Sequence, residues 1–119
     1  MLNKGSDGAS MVFEPALSQI AVGDTVTFVP TDKGHNAEVI KGMLPAGAAE
    51  FKGKIGEKFT VTFDTAGVYG FKCLPHFAMG MVGLIVVGAD TSNLDAVKAV
   101  KVSPKAQAVF DKLYTEIGK

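Results

Sequence analysis

Short apolar runs separated by turn-forming residues fill the first ninety positions of the chain. The predicted strands lie at residues 16–22, 25–29, 37–40, 59–63, 68–73 and 81–87. Residues 25–29 and 59–63 alternate polar and apolar side chains, as half-buried strands do, with Val26 and Phe28 directed toward the core. Residues 81–87 are apolar at nearly every position, which predicts a strand covered on both faces.

The pattern changes from strands to helices after Gly88. Residues 92–95, Ser-Asn-Leu-Asp, resemble a capping box with Asp in place of Glu, so a helix is predicted to start here. Ser103 and Pro104 form a second start signal, with Ser at the cap and Pro at the first helical position. Apolar side chains then recur at helical spacing as far as Ile117. We therefore predict two α-helices within about residues 92–117.

Together these elements predict an all-β fold with a short helical end. Short strands with frequent turns are typical of a sandwich or barrel, here with about seven to eight strands onto which the helices pack. At 119 residues the chain is long enough for one apolar core, so residues 1–119 are predicted to form a single domain.

Charge and hydropathy exclude several classes of partner. The formal net charge is zero and the twelve basic residues are all lysine, which argues against nucleic-acid binding because arginine is the usual reader of phosphate and guanine. No apolar run approaches the roughly 20 residues that span a bilayer, so we expect no membrane insertion. The first residues lack a basic segment followed by an apolar one, so we expect no signal peptide within this chain.

The residues with distinctive chemistry are concentrated between positions 68 and 83. Cys73 is the only cysteine, His76 is one of two histidines, and Met81 follows closely. A thiolate, an imidazole and a thioether are soft ligands that suit copper, and a type 1 site adds a second imidazole, which only His35 offers. Cys73 is predicted to close a strand, His76 to lie on a tight loop stiffened by Pro75, and Met81 to open the last strand. The sequence thus predicts a mononuclear copper site that carries electrons.

Three other functions could use the same residues. A cysteine hydrolase would need Cys73 and a histidine base to face each other with an orienting group, and two residues on one tight loop make a poor pair. A structural zinc site could use the cysteine and both histidines but would rarely recruit methionine. A copper-trafficking protein would be expected to have paired cysteines or methionine clusters, whereas this chain has one cysteine.

The motif C-x-x-H-x-x-x-x-M-V-G after V-Y-G, with G-H-N upstream, resembles the cupredoxins over nearly the whole chain. The resemblance implies a Greek-key β-sandwich or barrel that binds one copper ion, cycles it between Cu(I) and Cu(II), and is no enzyme. It implies His35, Cys73, His76 and Met81 as the metal ligands. Met79, three residues after His76, is the alternative thioether, but the Val-Gly that follows Met81 favours Met81.

Residues around these ligands acquire expected roles. The backbone N–H of Asn36 is expected to donate to the thiolate, and its side chain to join the two ligand loops. Pro75 has no N–H to donate. By resemblance, Met11 is expected to lie beside the ring of His76.

An exposed patch around His76 is the expected surface for exchanging electrons. Pro75, Phe77 and Met79 would make it apolar. The resemblance implies a ring of lysines at Lys4, Lys33, Lys52 and Lys72, with Lys41 and Lys54 as further candidates. A positive ring attracts acidic partners and speeds their encounter. The partners implied are copper nitrite reductase or a related denitrification reductase as acceptor and a c-type cytochrome as donor, with the carrier a periplasmic monomer.

Overall fold

A computed structural model describes residues 1–6, 8, 10–13, 15–32, 34–88 and 90–117. Within these ranges the chain forms eight strands, one 3-10 helix and two α-helices. The strands are β1 (Leu2–Lys4), β2 (Ser10–Val12), β3 (Leu17–Ile20), β4 (Thr25–Phe28), β5 (Glu38–Val39), β6 (Phe59–Thr62), β7 (Gly67–Lys72) and β8 (Val82–Val87). The 3-10 helix (Leu74–Met79) joins β7 to β8, and the α-helices are α1 (Leu94–Lys98) and α2 (Pro104–Glu116).

Four of the strands form the central sheet, in the order β3-β8-β7-β5. β3 runs parallel to β8, with Leu17 opposite Leu84, whereas β7 is antiparallel to both β8 and β5. β1 pairs with β2 and β4 with β6, each pair antiparallel. The prediction of an all-β fold with about seven to eight strands and two C-terminal helices is confirmed for the described residues.

Two apolar clusters lie on the two faces of the central sheet. One is rich in aromatic rings and includes Phe13, Phe28, Phe51, Phe63, Tyr69 and Phe71. The other includes Val68, Val82, Leu84, Val86, Phe110 and Leu113, the last two from α2. Every residue of β8 is buried because each face of that strand meets one of these clusters, as the unbroken apolar run predicts.

The two helices begin at different kinds of cap. Ser103 caps α2, where its Oγ accepts a hydrogen bond from the N–H of Ala106 at 3.3 Å, and Pro104 is the first helical residue, as predicted. The capping box predicted at Ser92 is wrong, because α1 starts one residue later, with Asn93 at the cap position. The Asn93 amide instead bonds both the N–H and the carbonyl of Val68, at 2.8 and 2.9 Å. Among the described residues, no helix has the length and apolarity that crossing a membrane requires.

Candidate metal centre

The segment that connects β7 to β8 carries three of the four predicted ligands, Cys73, His76 and Met81. Cys73 follows β7 directly, and its N–H donates to the carbonyl of Met81 at 3.0 Å, which closes the base of the connection. Between them the chain forms two 3-10 turns that meet at His76, where the backbone leaves helical geometry (φ −119°). The predicted tight loop is therefore a short helix, and its fixed backbone positions the imidazole of His76 above Cys73.

Three potential ligand atoms converge at this end of the sandwich. The Nδ1 atoms of His35 and His76 lie 3.1 Å apart. The Sγ atom of Cys73 lies 3.4 Å from Nδ1 of His76 and 3.7 Å from Nδ1 of His35. His35 reaches the site from the segment before β5, 38 residues before Cys73 in the chain. His35, Cys73 and His76 are thus brought together as the sequence predicts.

These distances fit a single small metal ion. Such an ion holds imidazole nitrogen at about 2.0 Å and thiolate sulfur at about 2.3 Å, so ligands spread around it in a plane lie roughly 3.5 to 3.8 Å from one another. The observed separations between the three ligand atoms are 3.1, 3.4 and 3.7 Å, each within about 0.4 Å of that spacing. A donor set of one thiolate and two imidazoles is the one that type 1 copper uses.

Asn3 fixes the tautomer of His35 through a contact that no pattern in the sequence predicts. Its Oδ1 lies 2.7 Å from Nε2 of His35, and a carbonyl oxygen only accepts hydrogen bonds. Nε2 of His35 therefore carries the proton, which leaves the lone pair of Nδ1 free to face the metal position. Asn3 is itself anchored, because its N–H donates to the Asp32 carboxylate at 2.8 Å.

The electrostatic surroundings also favour neutral His35. Burial lowers the pKa of His35 below its usual 6.5, the charges of His76 and the N-terminus lower it further, and Asp32 acts in the opposite direction. A neutral imidazole is the form that binds a metal ion.

The thiol of Cys73 lies inside the protein with none of its surface exposed. Burial raises the pKa of this thiol, and the backbone N–H groups of Asn36 and His76, which interact with the sulfur, partly offset that effect. Although His76 lies within reach of the sulfur, a substrate could not approach a fully buried nucleophile, which argues against a cysteine hydrolase. A buried sulfur with N–H donors around it is suited to a thiolate–metal bond.

Asn36 connects three segments around the ligands. Its Oδ1 accepts a hydrogen bond from the N–H of Leu74 at 2.7 Å, and its Nδ2 donates to the carbonyl of Gly53 at 3.1 Å. The side chain is almost fully buried, and its bond to Gly53 is shielded from water. Asn36 therefore holds three parts of the chain in one arrangement: the segment of His35 (the histidine segment), the 3-10 helix Leu74–Met79 (the ligand helix) and the connection before β6.

The three methionines considered from the sequence occupy different environments. Met81 is fully buried in the aromatic cluster that also contains Cys73, whereas Met79 is 46% exposed. Met11 packs against the same cluster and adopts φ 53°, a left-handed conformation that residues other than glycine rarely adopt.

The ligand helix presents an apolar surface beside His76. Leu74 and Met79 are 48% and 46% exposed, Pro75 is also exposed, and His76 is half-buried between them. Leu74 was not singled out from the sequence, since an apolar residue after a strand reads equally well as part of the core. We call Leu74, Pro75 and Met79, with the edge of His76, the apolar patch.

The predicted lysines differ in what the structure shows of them. The ammonium group of Lys72 lies over the ring of Phe77, 4.8 Å from its centre, so both side chains lie at the ligand helix. Phe77 is partly buried against the second cluster. Four of the predicted docking lysines are exposed, namely Lys4, Lys41, Lys52 and Lys54. Lys33 lies outside the described residues.

Comparisons with known proteins agree with the fold and with the binding of copper. The sequence model of the copper-binding proteins of the plastocyanin/azurin family matches residues 1–88. A pseudoazurin of Paracoccus pantotrophus is 55% identical over 111 residues, which are 93% of this chain and 76% of that protein. A pseudoazurin of Methylorubrum extorquens is 51% identical over 117 residues, 98% of this chain and 78% of that protein.

The similarity extends to three dimensions and to the C-terminal helices. The crystal structure of pseudoazurin from Methylobacterium extorquens AM1 superimposes with a TM-score of 0.94 at 51% identity, covering 98% of this chain and 94% of that one. The cupredoxin fold inferred from the motifs is thereby confirmed, and the helices beyond the family match are shared with that structure.

Proposed function

This chain belongs to the plastocyanin/azurin family of copper-binding proteins, and we propose that it carries electrons from a c-type cytochrome to copper nitrite reductase or a related reductase of denitrification. It is an electron-transfer protein rather than an enzyme, and its centre binds one copper ion. The observation that carries the proposal is the convergence of Cys73 Sγ with Nδ1 of His35 and His76 within 3.7 Å. The proposal includes a monomeric carrier that works in the periplasm.

The proposed ligand set is His35, Cys73, His76 and Met81. Copper, when bound, supplies a Cu(I)/Cu(II) couple that takes up and releases one electron. Burial of Met81 beside Cys73 supports it as the weak axial thioether, and exposure of Met79 makes that residue the poorer candidate.

The protein's own contribution is to hold the ligands still. Asn3 orients the ring of His35, Asn36 links the histidine segment to the ligand helix, and the Cys73–Met81 backbone bond closes the base of that helix. Because these contacts do not involve the metal, the ligand geometry is set before the ion binds. A fixed geometry limits the nuclear rearrangement that accompanies each electron transfer.

The apolar patch is the proposed surface for electron exchange. Leu74, Pro75 and Met79 are exposed on the same short helix as His76, and we expect them to give a dry contact beside its imidazole. Lysines at positions 4, 33, 52 and 72 are the proposed positive ring, which would attract an acidic partner without adding to the apolar contact itself. Met11 and Pro75 are proposed to tune the ligands they adjoin.

Addition of copper(II) to the metal-free protein tests the site. We expect an intense blue or blue-green absorption and an electron paramagnetic resonance spectrum with unusually small copper hyperfine splitting, both lost in Cys73→Ser. Met81→Gln should change the spectra, whereas the matched variant Met79→Gln should leave them unchanged. A pale solution with ordinary copper parameters would show that Cys73 is not a ligand and would refute the electron-carrier function.

The partner is tested separately by stopped-flow mixing of the reduced protein with copper nitrite reductase. We expect the second-order rate constant to fall as salt is added and to fall further in Lys72→Gln. A rate constant that does not depend on salt would contradict the lysine ring, and absence of electron transfer would contradict this choice of acceptor.

A further inference from the structure

Glu38 is a buried carboxylate that the electron-transfer site described so far does not use. Only three polar residues among the described ones are buried, and the other two, His35 and Asn36, belong to the metal centre. Glu38 is 9% exposed, and its Oε1 has no hydrogen-bond partner. Because burial without a partner is unfavourable for a carboxylate, such a group calls for a functional explanation.

The strand pairing places Glu38 between two lysines. Within the central sheet it lies opposite Lys72 of β7, and on its other side it forms an antiparallel bridge with Lys52. Directly opposed residues point to the same face with their Cβ atoms about 5 Å apart. Lys52 and Lys72 are therefore the residues paired with Glu38 across the backbone on its two sides.

The same pairing places Glu38 close to the metal ligands. Its partner Lys72 directly precedes Cys73, and Glu38 itself follows His35 by three residues. The side chains of Glu38 and Lys72 lie on the same face of the sheet, because the two residues are directly opposed. The next pair, Val39 and Phe71, lies on the other face and belongs to the aromatic cluster that contains Cys73. The strand pairing therefore places the carboxylate on the face of the sheet opposite to that cluster, while its backbone lies close in the chain and in register to Cys73 and His35.

The strand register brings the charge of Glu38 close to the sulfur, since Glu38 is paired with Lys72 and Lys72 directly precedes Cys73. The thiolate is destabilised by a nearby negative charge, and a cationic centre bound to it is stabilised by the same charge.

We propose that Glu38 sets the reduction potential of the copper centre, because its buried carboxylate favours the more highly charged oxidised state. The inference rests on the proposed function, since it requires a type 1 copper. A unit charge acting over roughly 10 Å at an effective dielectric constant of about 20 shifts such an equilibrium roughly tenfold. For a one-electron couple, a tenfold shift is about 59 mV.

The test is the midpoint potential of the copper-loaded protein and its variants. Glu38→Gln and Glu38→Met both remove the charge at nearly constant volume, and each should raise the potential by about 59 mV, a tenfold shift. Glu38→Asp keeps the charge and should stay near the wild-type value. Glu50→Gln makes the same change in net charge at an exposed position and should shift the potential much less.

Stability distinguishes this role from a structural one. Replacing an unpartnered buried charge by a neutral group of similar size is often neutral or stabilising, so neither variant should lower the unfolding midpoint of the metal-free protein. The proposal would be overturned by unchanged potentials in both Glu38→Gln and Glu38→Met, or by loss of the type 1 spectrum in both of them. It would also be overturned if Glu50→Gln shifted the potential as much as the Glu38 variants do. A wild-type protein without that spectrum would instead refute the proposed function.

Discussion

Replacing Asn36 by alanine is the sharpest test of how the protein holds the ligands in place. The substitution removes two hydrogen bonds, one from the N–H of Leu74 at 2.7 Å and one to the carbonyl of Gly53 at 3.1 Å. Both backbone groups would then lack the side-chain partner that Asn36 provides. We expect the metal-free protein to lose stability and the copper site to lose its single geometry.

The expected loss of stability follows from what remains unpaired. A buried backbone group without a partner costs about 1–3 kcal/mol. Leu74 is near the surface, so water partly replaces its bond, whereas the bond to Gly53 is buried. The free energy of unfolding should therefore fall by about 2–4 kcal/mol, which corresponds to roughly 10 °C in the unfolding midpoint of a domain of this size.

A matched control exists in Asn93, whose amide bonds the N–H and the carbonyl of Val68 at 2.8 and 2.9 Å, far along β7 from the ligands. Asn93→Ala should lower the stability of the metal-free protein by a similar or smaller amount. Its copper spectrum should match that of the wild type, whereas Asn36→Ala should broaden the spectrum and release copper to a chelator faster. Stability would be measured by denaturant unfolding of the metal-free proteins, so that copper binding does not contribute.

Two results would refute this reasoning. Equal copper release and equal spectra in Asn36→Ala and the wild type would show that the ligand helix needs no link to the histidine segment. Equal spectral changes in both asparagine variants would show that the site responds to overall stability and not to the local contact.

Two further predictions concern the ligands themselves. Cys73 occupies the cap position of the ligand helix and Pro75 is its second residue, so Pro75→Ala adds an N–H near the thiolate. This variant should raise the reduction potential by about 50 mV, and a lower potential would contradict the prediction. The control variant Pro104→Ala, at the start of α2, should leave the potential unchanged. Burial lowers the pKa of His35, so the unfolded chain binds more protons than the folded one between that pKa and about 6.5. The metal-free protein should therefore lose stability as the pH falls below about 6.5, with a shallower slope in His35→Gln; identical slopes in denaturant unfolding would argue against it.

The sequence predicted best what depends on neighbouring residues. The strand β8 shows as an unbroken apolar run because both of its faces are covered, and Ser103 with Pro104 marks the start of α2 through local backbone chemistry. Cys73 and both histidines could be assigned because the chain has one cysteine and two histidines, and the motif accounts for all three.

The contacts that the sequence did not reveal join distant segments. Asn3 meets His35 across 32 residues, and nothing in the three-residue strand β1 announces that partner. Asn93 was read as part of a local capping box, but its amide bonds Val68 across 25 positions. Glu38 follows the same rule, since a glutamate in a short strand gives no sign that it is paired with Lys72 of β7 on one side and bridged to Lys52 on the other.

The division between a fixed and an adaptable side of the site follows from the central sheet. Cys73 and Met81 stand at adjoining ends of β7 and β8, the two most deeply buried strands, and their backbone bond at 3.0 Å continues that pairing. No residue of the ligand helix is fully buried, and its Leu74, Pro75 and Met79 are exposed for contact with other proteins. The sheet therefore holds Cys73 and Met81, Asn36 and the backbone of the ligand helix position His76 beside them, and the apolar patch faces outward.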